Sequence, residues 1–258
     1  MTDFHSHILP GIDDGAQDSE TSLKMLDMSI KKGVKKIVLT PHCYPLSSKD
    51  INEFIQQRER ALEEFKRTAE EKGITLPELV CGCEVHLSSD ISKMRAVEKL
   101  CIENTKYMLL EMPSSPWNDA VIDSVYKLSL LGITPIIAHD ERNLLQKEEM
   151  RNSLYNLDVL IQINASSFGI PQLKKYIDSM FKHGLLHIIG SDMHNCDSRP
   201  TEMDKAKKYI VKRYGDECFE YVMNNASRIL SGEEFSYRDI RSFRKKPFLT
   251  SNNVYFIR

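Results

Sequence analysis

The stretch from Tyr107 to His139, YMLLEMPSSPWNDAVIDSVYKLSLLGITPIIAH, carries the reading that decides the fold. Tyr107 to Met112 is a short apolar run of strand length. Asn118 to Leu131 repeats its apolar residues at helical spacing, and Gly132 suits the position just past a helix end. Ile133 to Ala138 is a second strand-like run rich in β-branched residues. Strand, helix and strand in immediate succession predict a parallel α/β architecture, either an open sheet or a closed barrel.

The same alternation extends in both directions. Upstream lie strand-like Thr2 to His5, Lys36 to Thr40 and Glu78 to Val85; downstream lie Val159 to Asn164 and Leu185 to Gly190. Helical patterns fill the gaps at Ser19 to Lys32, Ser48 to Lys72, Ser92 to Cys101, Leu144 to Asn156 and Pro171 to Lys182. Two more follow the last strand, at Thr201 to Tyr214 and Asp216 to Leu230. Ser19 and Ser48 suit N-caps, while Gly33, Gly73 and Gly184 suit helix ends. No linker or repeat interrupts the pattern, so one domain over residues 1–240 is expected. A basic tail follows at 241–258, read as solvated.

Composition narrows the class. Hydrophobic residues at 41% of 258 supply a large core, and a net charge of −2 offers no field to attract nucleic acid or a membrane surface. The opening MTDFHSHILPGIDDG is acidic and lacks the basic and apolar regions of a signal peptide. No apolar run approaches the roughly 20 residues of a membrane span. A cytoplasmic protein without membrane insertion is expected, its six cysteines free thiols. Cys81-Gly82-Cys83 is read as buried structure, because no second cysteine pair accompanies it.

The metal-binding residue types cluster at strand ends. His5 and His7 follow the first strand, with Asp14 in the next loop, and His42 follows the second. Glu84 and Glu111 close the third and fourth strands, His139 the fifth, and Asp192 and His194 follow the seventh. In parallel α/β folds the C-terminal strand ends share one face, so these groups should meet. Imidazole and carboxylate without thiolate suit manganese, iron, zinc or magnesium, and their number exceeds one ion's coordination. Adjacent ions can clamp both oxygens of a phosphoryl displacement. His86, His183 and His187 are read as structural.

DFHSHILPGIDDGA, TPH, GCEVH, LLEMP, IAHDER and GSDMHN, in this order, resemble the PHP superfamily of metallophosphoesterases. Within it the resemblance is to the bacterial tyrosine-protein phosphatases of capsular and extracellular polysaccharide synthesis. It implies a distorted seven-stranded (β/α) TIM-like barrel with the active site at the C-terminal strand ends. It also implies three divalent ions, often manganese. By position, His5, His7, Glu84 and Asp192 would hold one ion; Glu84, Glu111 and His139 a second; Asp14, His42 and His194 a third. Arg142 and Arg199 match residues that contact the substrate phosphate, and His42 or His194 could protonate the leaving group. For Arg142 the structural alternative is an ion pair with Asp140 or Glu141, and for Arg199 a capping or packing role. Asp140 and Asn143 depart from the family's usual proline and tyrosine and could reshape the pocket wall.

The implied substrate is the phosphotyrosine-bearing tail of a bacterial tyrosine kinase. Two rivals stay open: a small-molecule phosphatase of the histidinol-phosphate kind on the same metals, and a non-enzymatic regulator that binds phosphotyrosine. A helical face could also mediate homo-oligomerisation.

Overall fold

The computed structural model describes residues 1–234. Strands and helices alternate as β1 (Thr2–Ser6), α1 (Ser19–Lys31), β2 (Lys36–Leu39), β3 (His42–Cys43), α2 (Ser48–Glu71), β4 (Glu78–Cys81), β5 (Glu84–His86) and β6 (Tyr107–Glu111). They continue as α3 (Asp119–Leu130), β7 (Thr134–Ile137), α4 (Glu148–Tyr155), β8 (Leu160–Asn164), α5 (Lys174–His183), β9 (Ile188–Gly190), α6 (Met203–Tyr214) and α7 (Asp216–Leu230). No helix among the described residues is long and apolar enough to cross a membrane. The basic tail expected at 241–258 lies outside them.

Every strand pairing is parallel. The order is β1-β2-β4 in one sheet and β3-β5-β6-β7-β8-β9 in the other. The two are continuous in sequence, because β2 runs into β3 through Thr40-Pro41 and β4 into β5 through Gly82-Cys83. Pro41 brings no N–H to a ladder that needs one, which accounts for the first break. Across both breaks Gly82 N still donates to Leu39 O (2.9 Å) and Glu84 N to Pro41 O (3.0 Å). The sheet curls until its ends meet: Asp192 N donates to His5 O (2.8 Å), and His7 N to Met193 O (3.0 Å). Gly190 permits this approach, since a Cβ there would lie 2.3 Å from the His5 Cβ.

Both faces of the sheet are buried, which is why its strands read as nearly unbroken apolar runs. Alternate residues divide between two clusters, following the two-residue period of a strand. Phe4, Val38, Leu109, Ile136, Leu160 and Ile188 belong to an inner cluster, which α7 joins through Ala226 and Ile229. Their neighbours Ile37, Leu39, Leu110, Ile137, Ile161 and Ile189 belong to the larger outer cluster, with Met25, Leu26, Phe65 and Phe181 from the helices.

Local departures have physical causes. Ser92 to Cys101 forms two 3-10 turns, Ile91–Lys93 and Val97–Leu100, instead of one helix. Ala96 between them takes φ +64, and Arg95 N is tied to Ser48 Oγ (2.8 Å). Here tertiary anchoring overrides local periodicity. Leu144 to Asn156 shortens to α4, behind a 3-10 turn at Asp140–Asn143. The caps sit one residue earlier than expected: Asp18 accepts from Thr21 N, and Ser47 forms a capping box with Asp50.

Candidate metal centre

The strand ends bring the expected residues together. His5 and His7 are wholly buried, and so is Glu84. His42 and Glu84 are register partners on β3 and β5, which sets their side chains side by side. His139 and Asp192 leave β7 and β9 in left-handed backbone, at φ +32 and φ +54. That conformation is strained for a residue with a Cβ, and such strain concentrates at functional sites.

Glu84 is the centre of the cluster. Its Oε2 lies 3.2 Å from His5 Nε2, 3.3 Å from His7 Nε2 and 3.1 Å from His42 Nδ1. Its Oε1 lies 2.6 Å from His139 Nε2, which is itself 3.8 Å from Glu111 Oε1. Asp192 Oδ1 stands 3.7 Å from His5 Nε2, 3.5 Å from His7 Nε2 and 3.5 Å from His194 Nδ1. Asp14, more exposed, lies 3.5 Å from His42 Nε2 and 3.3 Å from His194 Nε2. Three sets gather within 4.8 Å: His7, Asp14, His42 and His194; His5, His7 and Glu84; His42, Glu84 and Glu111. His7 and His42 thus each stand in two sets, a sharing that one-ion-at-a-time counting along the sequence does not foresee.

Electrostatics test whether cations fit. Burial alone would raise the Glu84 and Asp192 carboxyls, yet both are held well below the usual range. His5, His139 and His42 do this for Glu84; His5, His7 and Arg142 for Asp192. Burial opposes charge on His7, but its hydrogen bond to Asp13 and the nearby Asp192 and Glu84 carboxylates outweigh it and raise its imidazole well above normal. His5 is raised too, against burial, by Glu84 and Asp192. His194 goes the other way, pushed down to about 4 by burial and by His7. Protons on some imidazoles therefore balance the buried carboxylates, a task metal ions perform when they displace those protons. Glu84 Oε2, His42 Nδ1 and His194 Nε2 are buried and make no hydrogen bond of good geometry among the described residues, their polar neighbours at 3.1–3.3 Å being other members of the cluster. Unsatisfied nitrogen and oxygen donors aimed at one another are the chemistry of a divalent-cation site.

A second layer of residues fixes the donors. Asp13 Oδ2 accepts from His7 Nδ1 (2.7 Å) and His42 N (3.0 Å), so the His7 Nε2 faces the cluster. Burial resists the Asp13 charge, but the His7 hydrogen bond lowers its carboxyl to about 2. Gln162 Oε1 pairs with His5 Nδ1 (3.1 Å) and accepts from His139 N (2.8 Å). Gln162 Nε2 donates to Asn164 Oδ1 (2.9 Å), and Asn164 Nδ2 to Asp192 Oδ2 (2.8 Å). Sequence reasoning missed Asp13, Gln162 and Asn164. The last two carried a signal, being polar residues at i and i+2 in the otherwise apolar strand VLIQIN.

His86 was expected to be structural. It is still within β5, register partner of Glu111, and its Nδ1 lies 3.0 Å from Glu111 Oε2. It therefore shares the site's face with Glu84. His183 and His187 stay away from the cluster: His183 bonds to Ser179, and His187 Nδ1 accepts from Ile161 N. Arg142 and Arg199 both turn to Asp192, Arg199 Nη2 at 3.0 Å and 2.9 Å from its two oxygens. Arg142 does not take Asp140 as partner; that carboxylate accepts from Tyr155 and Tyr176. Both guanidinium groups are partly exposed, which leaves them free to meet a ligand entering from solvent.

Comparison with known proteins agrees with this geometry. A family model described as capsular polysaccharide synthesis, CpsB/CapC, matches residues 1–231. Tyrosine-protein phosphatase CpsB of Streptococcus pneumoniae is 30% identical over 244 residues, covering 89% of this chain and 98% of that protein. Tyrosine-protein phosphatase YwqE of Bacillus subtilis is 32% identical over 241 residues, covering 90% and 92%. A crystal structure from work on YwqE and S. pneumoniae CpsB, described as unique metal-dependent tyrosine phosphatases, superposes with TM-score 0.78 at 25% identity, over 98% of this chain and all of that one. A TatD-family hydrolase from Entamoeba histolytica, at 12% identity and TM-score 0.52, shares the fold alone.

Proposed function

The chain belongs to the CpsB/CapC family of capsular polysaccharide synthesis, and from that premise we propose that it is a metal-dependent protein-tyrosine phosphatase. Its substrate in this reading is the phosphotyrosine tail of a bacterial tyrosine kinase, met in the cytoplasm. The curled sheet is read as a distorted seven-stranded barrel, supported by the hydrogen bonds that join β1 to the chain after β9. The observation that carries the function is the convergence of unpartnered buried donors around Glu84, with two arginines at the rim.

Three divalent ions, manganese in the first instance, would take His5, His7, Glu84 and Asp192; Glu84, Glu111 and His139; and Asp14, His42 and His194. Such ions lower the pKa of water and neutralise charge on phosphoryl oxygens. The chain's own residues do the rest. Arg142 and Arg199 already converge on one carboxylate, and their planar forks suit the equatorial oxygens of a phosphoryl group equally well. Asp13 and Gln162 hold the His7 and His5 rings in place, and Asn164 does the same for Asp192. Delivery of a proton to the leaving oxygen falls to whichever of His42, 13% exposed, and His194, 2% exposed, is not held by an ion. Phenolate, with a parent pKa of about 10, needs less of that help than an alkoxide.

The test is phosphate release by chelator-treated protein resupplied with Mn²⁺, on phosphotyrosine peptide, phosphoserine peptide and histidinol phosphate in parallel. Selective turnover of the phosphotyrosine peptide is expected. Preference for histidinol phosphate would move the protein to small-molecule phosphatases, and turnover of none would make it a regulator.

A further inference from the structure

Beside the cluster lies an open cavity of about 520 Å³ whose lining includes Asp14, His42, Ile12, Tyr44, Pro45 and Phe54. Tyr44 is conspicuous there. It follows His42 by two residues and is 58% exposed. Its ring stands 5.4 Å from the His42 ring and 5.5 Å from the His86 ring, so it forms a rim to the donor cluster. Core packing does not explain an aromatic ring left this open, and apart from His42 the charged groups of the lining, Asp50 and Glu53 among them, are acidic and offer a phosphate nothing.

Charge and ring have separate counterparts here. The arginines meet at Asp192, whereas Tyr44 sits against His42 and His86. A phosphomonoester with its phosphoryl group among the donors needs somewhere to place the rest of the molecule. Resting on the phosphatase reading above, we infer that Tyr44 is a specificity-determining residue, its exposed ring packing against the aryl group of the substrate in the adjoining cavity. Aromatic pairs favour offset or edge-to-face contact at ring separations of roughly 4.5–7 Å, a range open to a ring as exposed as that of Tyr44. An alkyl phosphate such as phosphoserine has no ring to place there.

The experiment compares Tyr44→Ala and Tyr44→Phe with the parent protein, all loaded with Mn²⁺. It measures kcat and KM on a phosphotyrosine peptide, and the inhibition constant of inorganic phosphate. Phosphate probes the donors and arginines without engaging Tyr44. Tyr44→Ala should raise KM roughly two- to tenfold, the span of one aromatic pair, and Tyr44→Phe should rescue most of that loss. The phosphate constant should stay within about twofold of the parent's. An unchanged KM in Tyr44→Ala overturns the inference, as does a parallel rise in the phosphate constant, which would show a merely structural residue. A parent protein inactive on phosphotyrosine peptides would overturn the phosphatase reading itself, and this inference with it.

Discussion

Replacing Gly190 by alanine adds one methyl group where the two ends of the sheet meet. The new Cβ would lie 2.3 Å from the His5 Cβ, 2.8 Å from its N and 3.1 Å from its Cα. Non-bonded carbons settle at about 3.5–4.0 Å, so the strands must part by more than about 1 Å. Overpacking of this kind costs about 1–3 kcal/mol, which in a domain of this size lowers Tm by roughly 2–12 °C. The effect on function should be larger than the effect on stability. His5 is the backbone acceptor for Asp192 N, so both residues are displaced together, and a misplacement of about 1 Å can cost on the order of 100-fold in rate. Thermal unfolding in EDTA reads the first quantity, and kcat/KM on phosphotyrosine peptide with saturating Mn²⁺ reads the second. Gly169→Ala serves as control, since a Cβ there meets nothing within 4 Å. If Gly190→Ala matches the control in both measurements, the close approach of β9 to β1 does not set the position of His5.

Two further outcomes follow from buried polar groups. His187 is wholly buried, and burial pushes its imidazole down to about 3 against an unfolded value of about 6.5. The unfolded chain binds the extra proton between those values, so native stability is full above about pH 6.5 and falls as the pH drops toward 3. His187→Asn, which can still accept from Ile161 N, should remove about 2 kcal/mol of the loss between about pH 8 and pH 5 in denaturant melts. A constant difference between the two proteins across that range would refute the assignment. Asp13→Asn should weaken metal affinity about 10–100-fold in calorimetric titration, because the His7 ring loses its carboxylate acceptor. Unchanged affinity would leave Asp13 no orienting role.

The alternation of strand and helix was legible because both faces of this sheet are buried, so its strands stand out as apolar runs. The strand-end positions of His5, His7, His42, His139, Asp192 and His194 followed from it directly. The breaks at Pro41 and at Gly82-Cys83 were less legible, since the hydrophobic pattern continues through them. Asp13 and Asp14 are adjacent and chemically alike; only the geometry of the loop shows that one grips the His7 ring while the other faces the cluster. His86 was within reach of reasoning: if Glu84 begins a strand segment, then the residue two places on shares its face. Ser92 to Cys101 was not, because its helical pattern is overridden by a bond to Ser48, distant in sequence.

The hydrogen bonds between β1 and the chain after β9 tie the assembly of the site to the order in which the chain is made. His5 emerges well before Asp192, so during synthesis the set that joins His5 and His7 to Asp192 cannot be complete until the chain has reached the residues after β9. Loading of that one set is then a late event. Contacts of such long sequence separation form slowly. Once the ends have met, a bound ion would span them like a clasp. Its release would require the first and last strands to separate, so exchange of metal should track the opening of that seam and not the mobility of the surface loops.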